Sequence, residues 1–189
     1  NDFGLTCATL DAPPVEVGAI TVDVPHPVAS TEGWIRHLEP TQTFYSYVMN
    51  NYWETNYKAS QQGPTSFRYS LRPHGPYDAA AATRFGLQRS HPLVVVPADP
   101  QKPVRASVLK VEPPEVIVTS LAPSTDGRAL MLRLFNAGDK PAAAAVTWND
   151  PVPKQVTLSS PLQKPGKPVA VPIQMPSKGI VTLRAELGE

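Results

Sequence analysis

Proline decides what this chain can become. It occurs 23 times in 189 residues. Its ring fixes the backbone and removes an N–H, so it is excluded from helix interiors and from the middle of sheets. A chain this rich in proline that still carries regular Val, Ile, Leu and Thr runs predicts short strands joined by many turns. The length suits one large domain or two small ones, and it is enough to bury a core without disulfide staples. The single cysteine, Cys7, cannot pair within the chain. Set between the small residues Thr6 and Ala8, it reads as a half-buried strand thiol rather than a nucleophile.

Charge excludes one class of partner. The 17 Lys and Arg against 16 Asp and Glu give a formal net charge of +1, with no basic face or stripe of the kind that marks nucleic-acid binding. No apolar run approaches the roughly 20 residues of a membrane span, and no signal peptide is visible at the start. The chain opens at Asn1 without an initiator methionine and runs straight into "FGLTCATL", which reads as part of a longer polypeptide.

Along the chain, "GLTCATLDAPPVEVGAITVDVP" predicts two strands separated at Pro13-Pro14, and "HPVASTEGWIRHLEPTQT" predicts a loop. "FYSYVMNNYW" alternates aromatic and smaller residues, as a strand packed on one face does. A turn at Gly63-Pro64 leads to "SFRYSLRP", with Phe67, Tyr69 and Leu71 on one side and Arg68, Ser70 and Arg72 on the other. These two strands could pair as a hairpin across the long polar connection. "YDAAAATRFGLQR", residues 77–89, breaks the β pattern: it has no internal proline, Asp78 can cap its start, and Ala81, Arg84, Phe85 and Gln88 fall at helical spacing. It predicts one short helix ended near Ser90 by His91-Pro92. "HPLVVVPADPQKPV" then reads as a strand leaving through a proline-rich joint.

From about Ser107 the chain is a succession of strands. Turns are expected at Asp126-Gly127 and at Ala137-Gly138-Asp139. Leu130, Leu132 and Leu134 alternate with Met131, Arg133 and Phe135, so one face is apolar and the other mixed. "KQVTLSS", "KPVAVPIQM" and "GIVTLRAEL" continue the series. The spacing predicts about six strands in a β-sandwich. The expected architecture is therefore mainly β, two packed β-sandwich-like units with one short helix. The first unit is expected over 1–106, including the helix at about 77–89, and a smaller C-terminal sandwich over 107–189. The two are joined near residues 97–107.

Chemistry is sparse. His26, His74 and His91 adjoin prolines in loop-like sequence, and none of the four histidines forms a ligand pair with another, so no metal site is expected from this chain alone. Glycoside hydrolysis needs two facing carboxylates. Glu54, Asp78 and Asp99 are the nearest candidates, and Glu54 reads more readily as a solvated strand-end residue than as an acid/base. There is no nucleophile elbow, P-loop or dinucleotide fingerprint. What remains is "NNYWETN". Asn50, Asn51, Trp53, Thr55 and Asn56 gather amides and a hydroxyl, which match sugar hydroxyls, around a flat indole. The same residues also suit an ordinary β-core with asparagine-held turns, and composition does not decide between the two.

A family resemblance bears on that choice. "YSYVMNNYWETNYKASQQGPTSFRYSL" resembles the β region that follows the catalytic domain in family 38 glycoside hydrolases, the retaining α-mannosidases. "GLTCATLDAPPVEVG", "HGPYDAAAATRFGLQRSHPLVVVP" and "VLKVEPPEVIVTSLAPSTDGRALMLRLFNAGDKPAAAAVTW" resemble further pieces of that region and come in its order, the last with Arg133 and Asn136 as an R-x-x-N. The resemblance runs from about residue 4 to the end. It implies that the catalytic residues and a divalent metal belong to an N-terminal α/β domain of the same polypeptide, with no counterpart here and no cofactor in this chain. It implies a C-terminal β domain that supports the catalytic domain and lends the Asn50–Asn56 loop to its carbohydrate site, and that alone is inactive. The alternative is a free-standing carbohydrate-binding module using the same loop.

Overall fold

A computed structural model describes residues 3–18, 37, 39–49, 58, 60–95, 97, 99, 101 and 107–188. The chain divides into two compact units, one formed by Leu5–Arg72 and the other by Asn1–Gly4 with Pro73–Glu189. Among the described residues there are twelve strands and one helix, and the fold is mainly β.

Strands β1 (Gly4–Thr9), β2 (Val15–Val17), β3 (Phe44–Ser46) and β4 (Tyr69–His74) form two two-stranded sheets, β1 with β4 and β2 with β3. The break at Pro13-Pro14 separates β1 from β2 as expected. Among the described residues the possible hairpin between "FYSYVMNNYW" and "SFRYSLRP" is not formed: β3 pairs with β2, with Tyr45 opposite Glu16, and β4 pairs with β1. Asp11 fixes the second pairing. Its carboxylate accepts from the Arg68 amide at 2.8 Å and from the Arg68 guanidinium at 2.9 and 3.0 Å, while Leu10 N donates to Arg68 O. What joins β3 to β4 is a side-chain contact, Ser46 Oγ to Tyr69 Oη at 2.8 Å.

Helix α1 spans Ala79–Ser90. Asp78 caps it through Oδ1, which accepts from Ala81 N at 3.0 Å. At its other end the His91 amide donates to Leu87 O. The helix belongs to the larger unit. Ala80 packs with Ile117 and Ala137, and Leu87 and Phe135 pack beside them. The sequence places this helix with the first unit, whereas the compact body that holds it begins at Pro73. The reason is the apolar patch formed by Ile117 and Phe135, which alternation on the strands leaves on the far side from the core. The residues at expected helical spacing are only partly the buried ones: Phe85 is buried, but the other fully buried helix residue is Ala80.

Eight strands follow: β5 (Leu109–Glu112), β6 (Val116–Pro123), β7 (Ala129–Asn136), β8 (Ala142–Trp148), β9 (Gln155–Ser159), β10 (Pro165–Pro168), β11 (Ile173–Met175) and β12 (Ile180–Glu186). They form a five-stranded sheet, β10-β9-β12-β7-β6, and a three-stranded sheet, β11-β8-β5. The core draws on both: Val116, Leu132, Leu134 and Leu183 come from the first, and Ala142, Ala144, Ile173 and Met175 from the second. This is sandwich packing, in which alternate residues of two sheets interdigitate. Leu132 and Leu134 are fully buried, as their alternation predicts. Leu183 pairs across from Leu132 and Val181 from Leu134, so β12 and β7 present matching apolar rows. The register of β6 on β7 shifts between Val118 and Ser120. There Thr119 Oγ1 donates to Arg133 O at 3.2 Å, as suits a bulge residue outside the ladder.

The eight strands exceed the expected six because β5 forms ahead of the first expected run and "KPVAVPIQM" divides. β10 pairs with β9 in one sheet and β11 with β8 in the other. Residues 92–95, expected as a strand, lie outside any strand. Leu93, Val94 and Val95 are 95, 86 and 92% exposed, and among the described residues no strand pairs with them.

Candidate functional site

Asn50, Asn51, Trp53, Thr55 and Asn56 lie outside the described residues, as does Glu54. Before them, Tyr45, Tyr47, Val48 and Met49 are exposed. The other two carboxylates considered for acid/base work are local turn and cap formers. Asp78 is the helix cap, and Asp99 accepts from the Gln101 amide at 3.0 Å. His74 contacts Gly75 O, His91 contacts Leu87 O, and His37 pairs with Glu39 at 3.3 Å in an exposed position. Among the described residues no three His, Cys, Asp or Glu side chains gather in an arrangement able to hold a metal ion. No helix among them is long and apolar enough to cross a membrane.

In the smaller unit a cavity of about 410 Å³ opens between the two sheets, lined by Leu5, Cys7, Val15, Val17, Thr43 and Phe44. Its position follows from alternation. Leu5, Cys7 and Thr9 share one face of β1, while cross-strand pairing puts Val17 opposite Phe44 on a single face of β2 and β3. Cys7 is half-buried there, as expected. Leu5, Val15, Val17 and Phe44 all remain exposed.

A second constellation lies on the outer face of the five-stranded sheet, and it is not among the sites expected from the sequence. Arg184, on β12, has a side chain only 6% exposed. Its Nε donates to Glu186 Oε1 at 2.6 Å, its Nη2 to Asp126 Oδ2 at 2.7 Å, and its Nη1 to Gln163 O at 3.2 Å. Asp126 also accepts from Ser124 Oγ at 2.6 Å and from the Arg128 amide at 3.1 Å. The Ser124 hydroxyl, then the Arg128 amide and Arg184, hold its carboxyl far below the usual range. Glu186 and then Asp126 raise the Arg184 guanidinium further above its ordinary value.

This network ties the β6–β7 turn and the β9–β10 connection to β12. Gln163 sits in that connection at φ 60, a left-handed conformation uncommon for a non-glycine residue. Its Oε1 accepts from Thr125 N at 2.7 Å and from Thr125 Oγ1 at 2.9 Å. A cavity of about 410 Å³ lies here, lined by Thr125, Asp126, Arg128, Gln163, Lys164 and Arg184, with Glu186 beside them. Thr157, opposite Arg184 across the β9–β12 pair, has a buried hydroxyl with no partner among the described residues. A signal for this site exists in the sequence: Arg184 and Glu186 occupy the polar positions of an otherwise apolar alternating strand, and Asp126-Gly127 was legible only as a turn.

No protein-family model and no curated protein sequence matches the chain.

Proposed function

We propose that the chain is the C-terminal β region of an α-mannosidase-like retaining glycoside hydrolase, supporting an N-terminal catalytic domain of the same polypeptide and helping to shape its carbohydrate site. The observation that carries this reading is the unburied apolar surface. Leu93, Val94 and Val95 stand nearly fully exposed, and Leu5, Val15, Val17 and Phe44 are exposed on two-stranded sheets. Isolated two-stranded sheets are marginal in water, and contiguous apolar surface on a soluble protein marks a contact that something else covers. An accessory domain that packs on a larger body has such surfaces. The ordered resemblance to the β region of family 38 supplies the identity of that body. The divalent metal that the resemblance implies belongs to the catalytic domain, and no step involving it is assigned to these residues.

The test pairs two assays on the purified chain. Mannose and α-mannobiose are titrated while tryptophan fluorescence is followed, and 4-nitrophenyl α-mannoside is supplied as substrate in the same buffer. The expected result is neither saturable binding nor turnover, both appearing only when the catalytic domain is joined to the chain. Binding by the chain alone, abolished by Trp53→Ala, would replace this reading with the free-standing carbohydrate-binding module. Turnover by the chain alone would overturn both.

A further inference from the structure

The hydrogen bonds around Arg184 leave a one-sided remainder. Of the guanidinium N–H groups, Nε and Nη2 are engaged by Glu186 and Asp126, and Nη1 gives a single bond to Gln163 O. One Nη1 N–H is left without an acceptor among the described residues. Gln163 spends its side-chain oxygen on Thr125, which leaves its Nε2 amide group without an acceptor among the described residues. The side chains of Arg128 and Lys164, which line the same cavity, have no hydrogen-bond or ion-pair partner among the described residues. The acceptors are already engaged: Asp126 receives Ser124, the Arg128 amide and Arg184, and Glu186 receives Arg184. The lining therefore carries three cations against two carboxylates, an excess of one positive charge, and its unused groups are donors.

We propose that this cavity is a binding site for a small organic carboxylate. A carboxylate brings acceptors only, which is what the unused donors lack. The Arg128 guanidinium offers the forked geometry that takes both carboxylate oxygens, and Lys164 adds a point charge. A singly charged ligand matches the single excess charge, whereas Asp126 and Glu186 repel a dianion such as phosphate. The volume of about 410 Å³ exceeds a bare carboxylate group and admits a small molecule attached to it. The floor is preorganised. Buried Arg184 is fixed by both carboxylates, and Gln163 is held left-handed with its carbonyl on Arg184 and its amide oxygen on Thr125. Closing the two loops onto β12 uses the Asp126–Arg184–Glu186 bonds. It does not use the side chains of Arg128 and Lys164 or the Gln163 side-chain nitrogen; the Arg128 backbone alone takes part, through its amide on Asp126 and its carbonyl on Leu187 N.

The test titrates the 189-residue chain with sodium acetate and with sodium lactate. Ionic strength is held constant with chloride, and the backbone amide resonances of Arg128, Gln163 and Lys164 are followed by NMR. The expected result is a saturable shift centred on these residues, weakened by about tenfold or more in the Arg128→Ala/Lys164→Ala double variant. That variant leaves the Arg184 network in place, and its otherwise unchanged spectrum reports an intact fold. A parallel phosphate titration should give weaker binding than acetate. No saturable shift, or equal affinity in the double variant, would overturn the site. Tighter binding of phosphate than of acetate would overturn its assignment to carboxylates.

Discussion

Arg184 Nη2 lies 2.7 Å from Asp126 Oδ2, joining positions 58 residues apart in the chain. The bond links the last strand to the turn that closes the β6–β7 hairpin, so the sheet is tied at its surface as well as through its core. Asp11 and Arg68 make the equivalent tie in the smaller unit, 57 residues apart. In both pairs the carboxylate is the group whose titration reports the contact.

Acid should release both ties. The hydrogen bonds from the Arg68 side chain and amide lower the Asp11 carboxyl to about 2, and Asp126 is lowered as well, against about 3.9 for an unfolded aspartate. A carboxyl whose folded value is depressed contributes stability that is fully present above the unfolded value and is lost as pH falls through the folded one. The Asp11 contribution is therefore expected to disappear between about pH 4 and pH 2, and that of Asp126 to be lost likewise as the pH falls below the unfolded value. Urea unfolding of the parent and of Asp126→Asn at a series of pH values checks this. The variant should be the less stable at pH 7, with the difference shrinking once the pH drops below about 4. A difference constant from pH 7 downwards would contradict it.

Asn136→Ala should destabilise the larger unit by roughly 1–3 kcal/mol, the cost of leaving buried polar groups unpaired. Asn136 is fully buried at the end of β7. Its Nδ2 donates to Lys140 O at 2.9 Å and to Pro176 O at 3.0 Å, and its Oδ1 accepts from Gly138 N at 3.0 Å. One side chain thus holds the β7–β8 and β11–β12 connections together. Equilibrium denaturation measures the loss, and faster amide exchange at Gly138 should accompany it.

Leu132→Ala is expected to cost about 2–5 kcal/mol, because a fully buried leucine leaves a cavity in a core fed from both sheets. Val152→Ala, at an exposed position, should stay within about 0.5 kcal/mol of the parent. Comparable losses in the two variants would mean that the sandwich core is not where Leu132 places it.

The elements legible in the sequence were those governed by local rules. Asp78 and the alanines after it gave the helix, and Leu132 and Leu134 gave the buried face of β7, with Leu130 only half-buried at its start, because capping and alternation act within a few residues. Pairing was less legible. "FYSYVMNNYW" and "SFRYSLRP" are neighbours in sequence, yet each pairs with an earlier strand. The contact that fixes β4 on β1, Arg68 with Asp11, spans the whole smaller unit. The same limit hid the Arg184 site. Arg184, Asp126 and Gln163 come from three separate segments, and nothing local to any of them announces the other two. The helix went to the wrong neighbour for a related reason: its apolar side does not specify which sheet it meets, and Ile117 and Phe135, far along the chain, do.

The two rims of the five-stranded sheet are unlike. At one, β10 is the four-residue segment Pro165–Pro168, and two of those residues have no N–H to offer; the intervening Lys167 adds a charge, and both devices blunt a sheet edge. At the other, β6 runs for eight residues from Val116 to Pro123 with its bulge in the middle. The sheet therefore has a direction. Among the described residues the eight-residue rim at β6 is the longer ladder and the proline-bounded rim at β10 the shorter, so the sheet is finished at one side and left long at the other.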